Sequence, residues 1–494
     1  MQKKAKLVSI TFVRLDKFCL FLSFSAIEVM DNTVTTMKTS KAMRTAAVVT
    51  GIAITVAVVS SVVMLCLLLW PSELPSCLEV EMSGTPEVGD PLAKGMTFYG
   101  YNTTADYYLD KGFSKISAIS TTTARCLIPF ESGQSKFVIV PQKAMVIPSD
   151  PPPTSLDAGD STNAKTNVWL LNGEDYKLHQ QLPTPGAHGG ALQEFGGVLY
   201  LSVPSVRTGT FPNYDEHVNS SVWVWNDKTR NFTLLQQFAL KAAKFSSLHV
   251  YNNELFAFFA CGSALSTNGT YDPANASPVY KLNSKTGMFD QIQSIPTYGA
   301  FDMEMFEAGG LVYLGVVDAT VGTTLFTWDS ATGQFGDVQW IATDIQGREI
   351  QSFAVDGVDY LLVTNLLFGI TLYRLQHGTG WSKFIKTQFL QSTLGGAHGI
   401  TVFQNSLGTW VFIANYIEAG STQSNPLVRT SSTVYKWTGS GLSWVTDYPS
   451  SASASTNVWA NGSSILAAVA NEATIDFKYD TESSIYSLDL SKLT

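Results

Sequence analysis

The string Gly-Ala-His-Gly occurs at 186–189 and again at 396–399, giving His188 and His398 the same local setting. Three acids, Asp302, Glu304 and Glu349, sit in otherwise apolar surroundings at what look like matching points of the chain. Brought together, these five residues would form a hard oxygen and imidazole cluster. Outside the cell its natural cation is calcium, with Asp302 and Glu349 as the first ligands. The same carboxylates could instead serve a glycan-processing ectoenzyme. The simplest account is that they are solvated or mutually hydrogen-bonded side chains. Against catalysis, the chain has no Gly-x-Ser-x-Gly, no His-Glu-x-x-His and no paired metal-ligand spacing. "DSATGQF" (329–335) resembles turns seen in glycosidase propellers, but "NSKTGMF" (283–289) recurs at the matching place and marks both as hairpin loops.

Whether these residues can meet depends on the elements that carry them. The form of "GGLVYLGVVD" (309–318) returns near 132, 196, 252, 356, 407 and 461, each time as a polar turn and then an apolar strand. A second element, such as "VYKL" (279–282) or "LFTW" (325–328), follows each copy after a variable loop. A third, typified by "FDQIQSIP" (289–296), and a fourth, typified by "AFDMEMF" (300–306), complete the unit. In the third and last units the fourth element ("KAAKFSSLHV", "SASASTNVWA") reads as degenerate.

Four strands recurring seven times at roughly 50-residue intervals predict an all-β, seven-bladed β-propeller. The first copy of the "FDQIQSIP" type (113–120) lacks partners upstream, and the last unit lacks that strand downstream. Pairing 113–120 with 484–490 would complete one blade from both chain ends and remove two open edges. In such a ring the fourth element lines the central channel. His188, Asp302, Glu304, Glu349 and His398 are then expected near one channel mouth. Trp169, Trp223, Trp225, Trp328 and Trp437 are expected to pack between blades.

The pattern F-x-x-h-Q-x-h-x-T-x-G-A, a short acidic-apolar strand and G-x-x-Y-L-x-V resembles the epilepsy-associated repeat (EAR, or EPTP) family. The best unit carries it as Phe289, Ile292, Gln293, Ile295, Thr297, Gly299, Ala300, Asp302, Glu304, Phe306, Tyr313, Leu314 and Val316. The resemblance covers about residues 111–490. It implies a seven-bladed propeller of a secreted or cell-surface protein that binds partner proteins. This chain departs in carrying neither a leucine-rich nor a laminin-like domain, so the partner is not inherited.

Charge and hydropathy add a membrane expectation. The run 46–70 is wholly uncharged and apolar, long enough for one transmembrane helix, with Trp70 at its end. Lys38, Lys41 and Arg44 precede it, while Glu73, Glu79 and Glu81 follow, which predicts a cytosolic N-terminus. The expected organisation is a cytosolic basic tail (1–45), the helix (46–70), a stalk (71–110) and the propeller (111–490), in a single-pass type II arrangement. Six Asn-x-Ser/Thr sequons, at Asn102, Asn219, Asn231, Asn268, Asn275 and Asn461, fit an extracellular or lumenal body and are candidate glycosylation sites. Cys77 in the stalk is placed for a disulfide-linked dimer. The chain carries −9 overall and about +5 within residues 1–46, so the body is acidic and nucleic acid is excluded as a partner. The expected function is recognition of a protein or glycan ligand. It would act through the longest insertions, at 142–166, 204–220, 262–277 and 417–432, without catalysis.

Overall fold

The computed structural model describes residues 111–146, 160–161, 164–210, 213–262, 275–342, 346–367, 369–379, 381–390, 396–417, 431–473 and 480–493. The expected helix at 46–70, the tail, the stalk, Cys77, Asn102 and Asn268 lie outside these residues. Among the described residues no helix is long and apolar enough to cross a membrane.

Seven four-stranded antiparallel sheets form the blades. Blade 1 comprises strands Ile128–Ser132, Ser135–Val140, Thr166–Asn172 and Asp175–Leu182, and blades 2 to 6 follow the same order. Blade 7 takes Ser453–Asn461, Ser464–Asn471 and Asp480–Leu488 from the C-terminal end and Phe113–Thr122 from the other, with Phe113 opposite Leu488. The predicted closure is therefore present. Hydrophobic clusters pack this blade on both sides. Phe113 and Tyr486 meet Trp410 and Tyr448 of blade 6, while Ile119 and Ile485 meet Leu127 and Val138 of blade 1.

Alternation explains the blades. In Leu311–Asp318, seven of eight residues are buried, because both faces of this strand lie against neighbouring blades. The outer strands bury far fewer residues; Met288–Pro296 buries Phe289 and Ile295 alone. The tight turn at Gly309 and Gly310 needs positive φ at both central residues (56° and 77°). Asn252–Asn253 and Asp356–Gly357 answer the same demand. The five tryptophans expected between blades are there: Trp223 and Trp225 are buried, and Trp169, Trp328 and Trp437 pack against the inter-blade clusters.

Two readings are corrected. The innermost strands of blades 3 and 7, expected to be degenerate, are regular nine-residue strands, Ala243–Tyr251 and Ser453–Asn461. Backbone pairing tolerates the small polar residues that hid them, and their buried positions (Ala243 and Ser246 to Leu248; Ser453, Ala454 and Thr456) follow no strict alternation. Two expected loops also pair with each other. Met145–Val146, Asp160–Ser161, Thr208–Thr210 and Asn213–Asp215 form an extra four-stranded sheet, joined at Thr210 and Ser161.

The repeated glutamine of F-x-x-h-Q has a structural role. Gln180, Gln236, Gln293, Gln339 and Gln388 each donate to a carbonyl and accept from the N–H of one residue on the next outer strand: Phe232, Phe289, Phe335, Phe384 and Leu442 respectively. A register shift just before each glutamine turns it sideways toward its neighbour.

Candidate functional site

Strand direction sorts the connections by face. In each blade the first and third strands run one way and the second and fourth the other. Links from second to third strand, and links between blades, therefore emerge on one face. All four long insertions join second to third strands, so they share that face, and each innermost strand starts there.

A small residue opens each innermost strand, or precedes it by a few residues in blades 1 and 2, and pairs with the neighbouring strand's end: Ala124 with Gln142 and Ala187 with Ser205 as isolated bridges, then Ala243 with Cys261 and Ala300 with Asp318. Gly347 with Asn365, Ala397 with Asn415 and Ser453 with Asn471 repeat the arrangement. In blades 3 to 7 the next residue falls in a register shift, a bulge that can redirect its side chain. Around the ring that position reads Arg125, His188, Lys244, Phe301, Arg348, His398 and Ala454.

Phe301 is the hub. The Lys244 ammonium lies 4.2 Å and the Arg348 guanidinium carbon 4.0 Å from its ring centroid. The rings of His188 and His398 approach it edge-on at 6.1 and 6.5 Å. Arg125 Nη2 is 3.0 Å from His398 Nε2, and Arg125 Nη1 pairs with Glu472. Because a guanidinium can only donate, His398 Nε2 accepts and the ring is neutral. His188 Nδ1 donates to the Lys244 carbonyl at 2.9 Å. Burial and then the Arg125 charge hold both histidines well below their usual range. Burial, followed by Arg348, lowers Lys244 to about 7. These groups line a cavity of about 90 Å³.

The expected carboxylates lie one step along. Asp302 Oδ2 accepts from Ile350 N and Glu349 Oε2 accepts from Ile400 N, both at 3.0 Å, so each holds the next blade's backbone. Burial raises both well above the carboxylate range, helped for Asp302 by Glu304 and for Glu349 by Asp302. Glu304 is engaged elsewhere, 3.1 Å from His249 on the adjacent blade. Burial lowers His249, but the charge and hydrogen bond of Glu304 outweigh it and the net shift is upward. Among the described residues, no three or more His, Cys, Asp or Glu side chains are arranged to hold a metal ion. Of the five residues expected to meet, His188, Glu349 and His398 line one cavity, and Asp302 and Glu304 lie close enough to Glu349 to raise it. The histidines join a cationic ring, and the acids act as inter-blade acceptors or pair with His249. Cys126, the thiol lining the cavity, is pushed up to about 12 by burial and stays protonated.

Sequence reasoning missed Arg125, Lys244, Arg348 and His249. The signal was the residue after the small one that opens each innermost strand, and it was lost where blade 3 looked degenerate. Of the sequons described, Asn219 is exposed, Asn231 and Asn461 are half-buried, and Asn275 is only 8% exposed, which opposes a glycan there. Cys126 and Cys261 are both buried and free.

Residues 288–329 match the EPTP domain, from the outer strand of blade 3 through the third strand of blade 4. The human thrombospondin-type laminin G domain and EAR repeat-containing protein is 29% identical over 162 residues, 33% of this chain and 23% of that protein. Its Mus musculus counterpart is 25% identical over 167 residues, 34% of this chain and 24% of that protein. The chain thus spans about a quarter of the length of the curated relatives it matches. Similar solved structures include the Myceliophteria thermophila Cps50 (Swd1) β-propeller domain, with TM-score 0.47 and 11% identity over 76% of this chain and all of that one. The Pseudomonas aeruginosa periplasmic gluconolactonase has TM-score 0.47 and 11% identity over 67% of this chain and 89% of that one. The EPTP match and the two relatives support the epilepsy-associated-repeat propeller family for this chain.

Proposed function

We propose that this protein is a membrane-anchored recognition module whose propeller faces the extracellular or lumenal side and binds a partner protein or glycan. The apolar run 46–70 is its anchor, residues 1–45 its cytosolic tail and 71–110 its stalk, with Cys77 available to link two copies. The observation that carries this reading is the gathering of all four long insertions on one propeller face, with two of them knitted into an extra sheet. Variable loops held by a rigid scaffold are the usual place for a binding surface.

The experiment displays the full chain on cells and replaces loops of the insertion-bearing face, or hairpins of the opposite face, with short Gly-Ser links. Loss of binding to extracellular proteins or glycan arrays only on the first exchange supports the reading; equal loss from both faces contradicts it. Protease access to residues 1–45 from outside the cell would overturn the orientation.

A further inference from the structure

We infer that the rim groove between blades 4 and 5 docks an extended segment of a partner protein that combines acidic with aromatic or aliphatic side chains. The groove lies on the outside of the ring and involves none of the long insertions, so it stands apart from the recognition face.

Two outermost strands form it, Gln334–Ala342 of blade 4 and Trp381–Leu390 of blade 5. It holds about 400 Å³, within the roughly 300–1,000 Å³ of ligand clefts. Gln339 ties the strands together through both backbone groups of Phe384, at 2.9 and 3.2 Å, so the groove exists before anything binds. Apolar side chains stand open along it: Trp340 is 58%, Val338 53% and Ile385 39% exposed. Each other outer strand shows solvent one large apolar side chain, namely Ile116, Leu178, Leu234, Met288 or Trp444. These two strands show four, Phe389 being the last. Tryptophan is highly buried on average, so an indole this open within an apolar set marks a contact surface.

Charge selects the occupant. Lys383 and Lys386 line the same groove and no acid does. The Lys386 ammonium lies 4.8 Å from the Phe389 ring centroid, and among the described residues neither lysine is paired with a carboxylate. In sequence the two strands carry these two cations against Asp337 alone, on a body that is otherwise acidic. Lysines on an open strand edge repel an edge bearing the same lysines, which opposes docking of a second copy here. They attract a segment that carries carboxylates, and an extended segment can complete the pairing that outermost strands have on one side only. A lipid surface is flat on this scale and does not fill a groove between strands.

The test measures the fluorescence anisotropy of a labelled peptide, Glu-Leu-Glu-Phe-Glu-Leu-Glu, titrated with the full-length protein in nanodiscs of zwitterionic lipid. The expected result is saturable binding that weakens as salt is raised and is at least about tenfold tighter than that of Lys-Leu-Lys-Phe-Lys-Leu-Lys. Trp340→Ser should weaken it about tenfold or more. Lys383→Glu with Lys386→Glu should reverse the preference between the two peptides. All three positions are exposed, so the variants keep the fold. Absence of saturable binding, equal binding of the two peptides, or unchanged affinity in Trp340→Ser overturns the site. Trp340-dependent self-association, or Trp340-dependent binding to phosphatidylserine vesicles, without peptide binding also overturns it and assigns the groove to a second copy or to a membrane. Exchange of the insertion-bearing loops should leave peptide binding intact, so failure of this site and failure of the recognition face are told apart.

Discussion

Gln293 holds Phe335 by its backbone while the phenyl ring goes elsewhere: Nε2 donates to the Phe335 carbonyl at 2.8 Å and Oε1 accepts from its N–H at 2.7 Å. The ring packs on Trp328 at 4.9 Å and Phe258 at 6.0 Å. One repeat letter, Q, thus fastens blades, and another, F, fills the space between them.

Gln293→Ala is expected to cost about 1–3 kcal/mol, since two neutral hydrogen bonds go and a half-buried N–H is left unmatched. Gln293→Glu should recover part of the loss, because its carboxylate accepts but cannot donate. Urea denaturation compares the three proteins; equal stability of wild type and Gln293→Ala would show that the latch is idle.

The latch is absent where blade 7 meets blade 1. Ser117 occupies the glutamine position there, and a groove of about 850 Å³ lined by Ile116, Ser117, Tyr176 and Trp459 opens between the strands. Ser117→Gln should reach the Tyr176 backbone and raise stability by about 1 kcal/mol, read as a higher denaturation midpoint.

Arg125 and Glu472 form a buried pair across the same junction, with Lys143 3.7 Å from Glu472. Glu472→Gln removes the charge that balances two cations, and a loss of about 3–5 kcal/mol is expected. Replacing Arg125 and Glu472 together by Met and Leu should cost less than the single change, a non-additivity that a double-mutant cycle measures.

Asp302 and Glu349 set a pH dependence. Burial raises both, so the folded chain keeps protons that the unfolded chain releases above its ordinary carboxylate range. Their stabilising contribution is complete below the unfolded pKa of about 4 and fades as pH rises toward the folded values. Asp302→Asn with Glu349→Gln should flatten the thermal-midpoint profile above about pH 4. A profile falling just as steeply in the double variant would refute this assignment.

The propeller was legible because its strands announce themselves locally. Turn residues, apolar runs and the Phe–Gln spacing recur wherever the backbone makes the same demand, as at Gly309–Gly310 and Asn252–Asn253. Closure by Phe113–Thr122 followed from counting strands. The site was only half legible. Asp302 and Glu349 do lie on innermost strands, but sequence could not reveal that each spends an oxygen on the next blade. The cationic ring escaped because its members, Arg, His, Lys and Phe, share a register position and not a residue type.

The shared blade has a consequence for biosynthesis. Thr122 bonds to Asp480, 358 residues further on, so its strand emerges early and must wait for its partner. At 5–20 residues per second that wait is roughly 20–70 s. Throughout it, Phe113–Thr122 is an unpaired strand, and six blades stand as an open arc. The newborn chain is therefore most prone to mispairing just before its last strands are made, when a chaperone that shields strand edges would most affect yield.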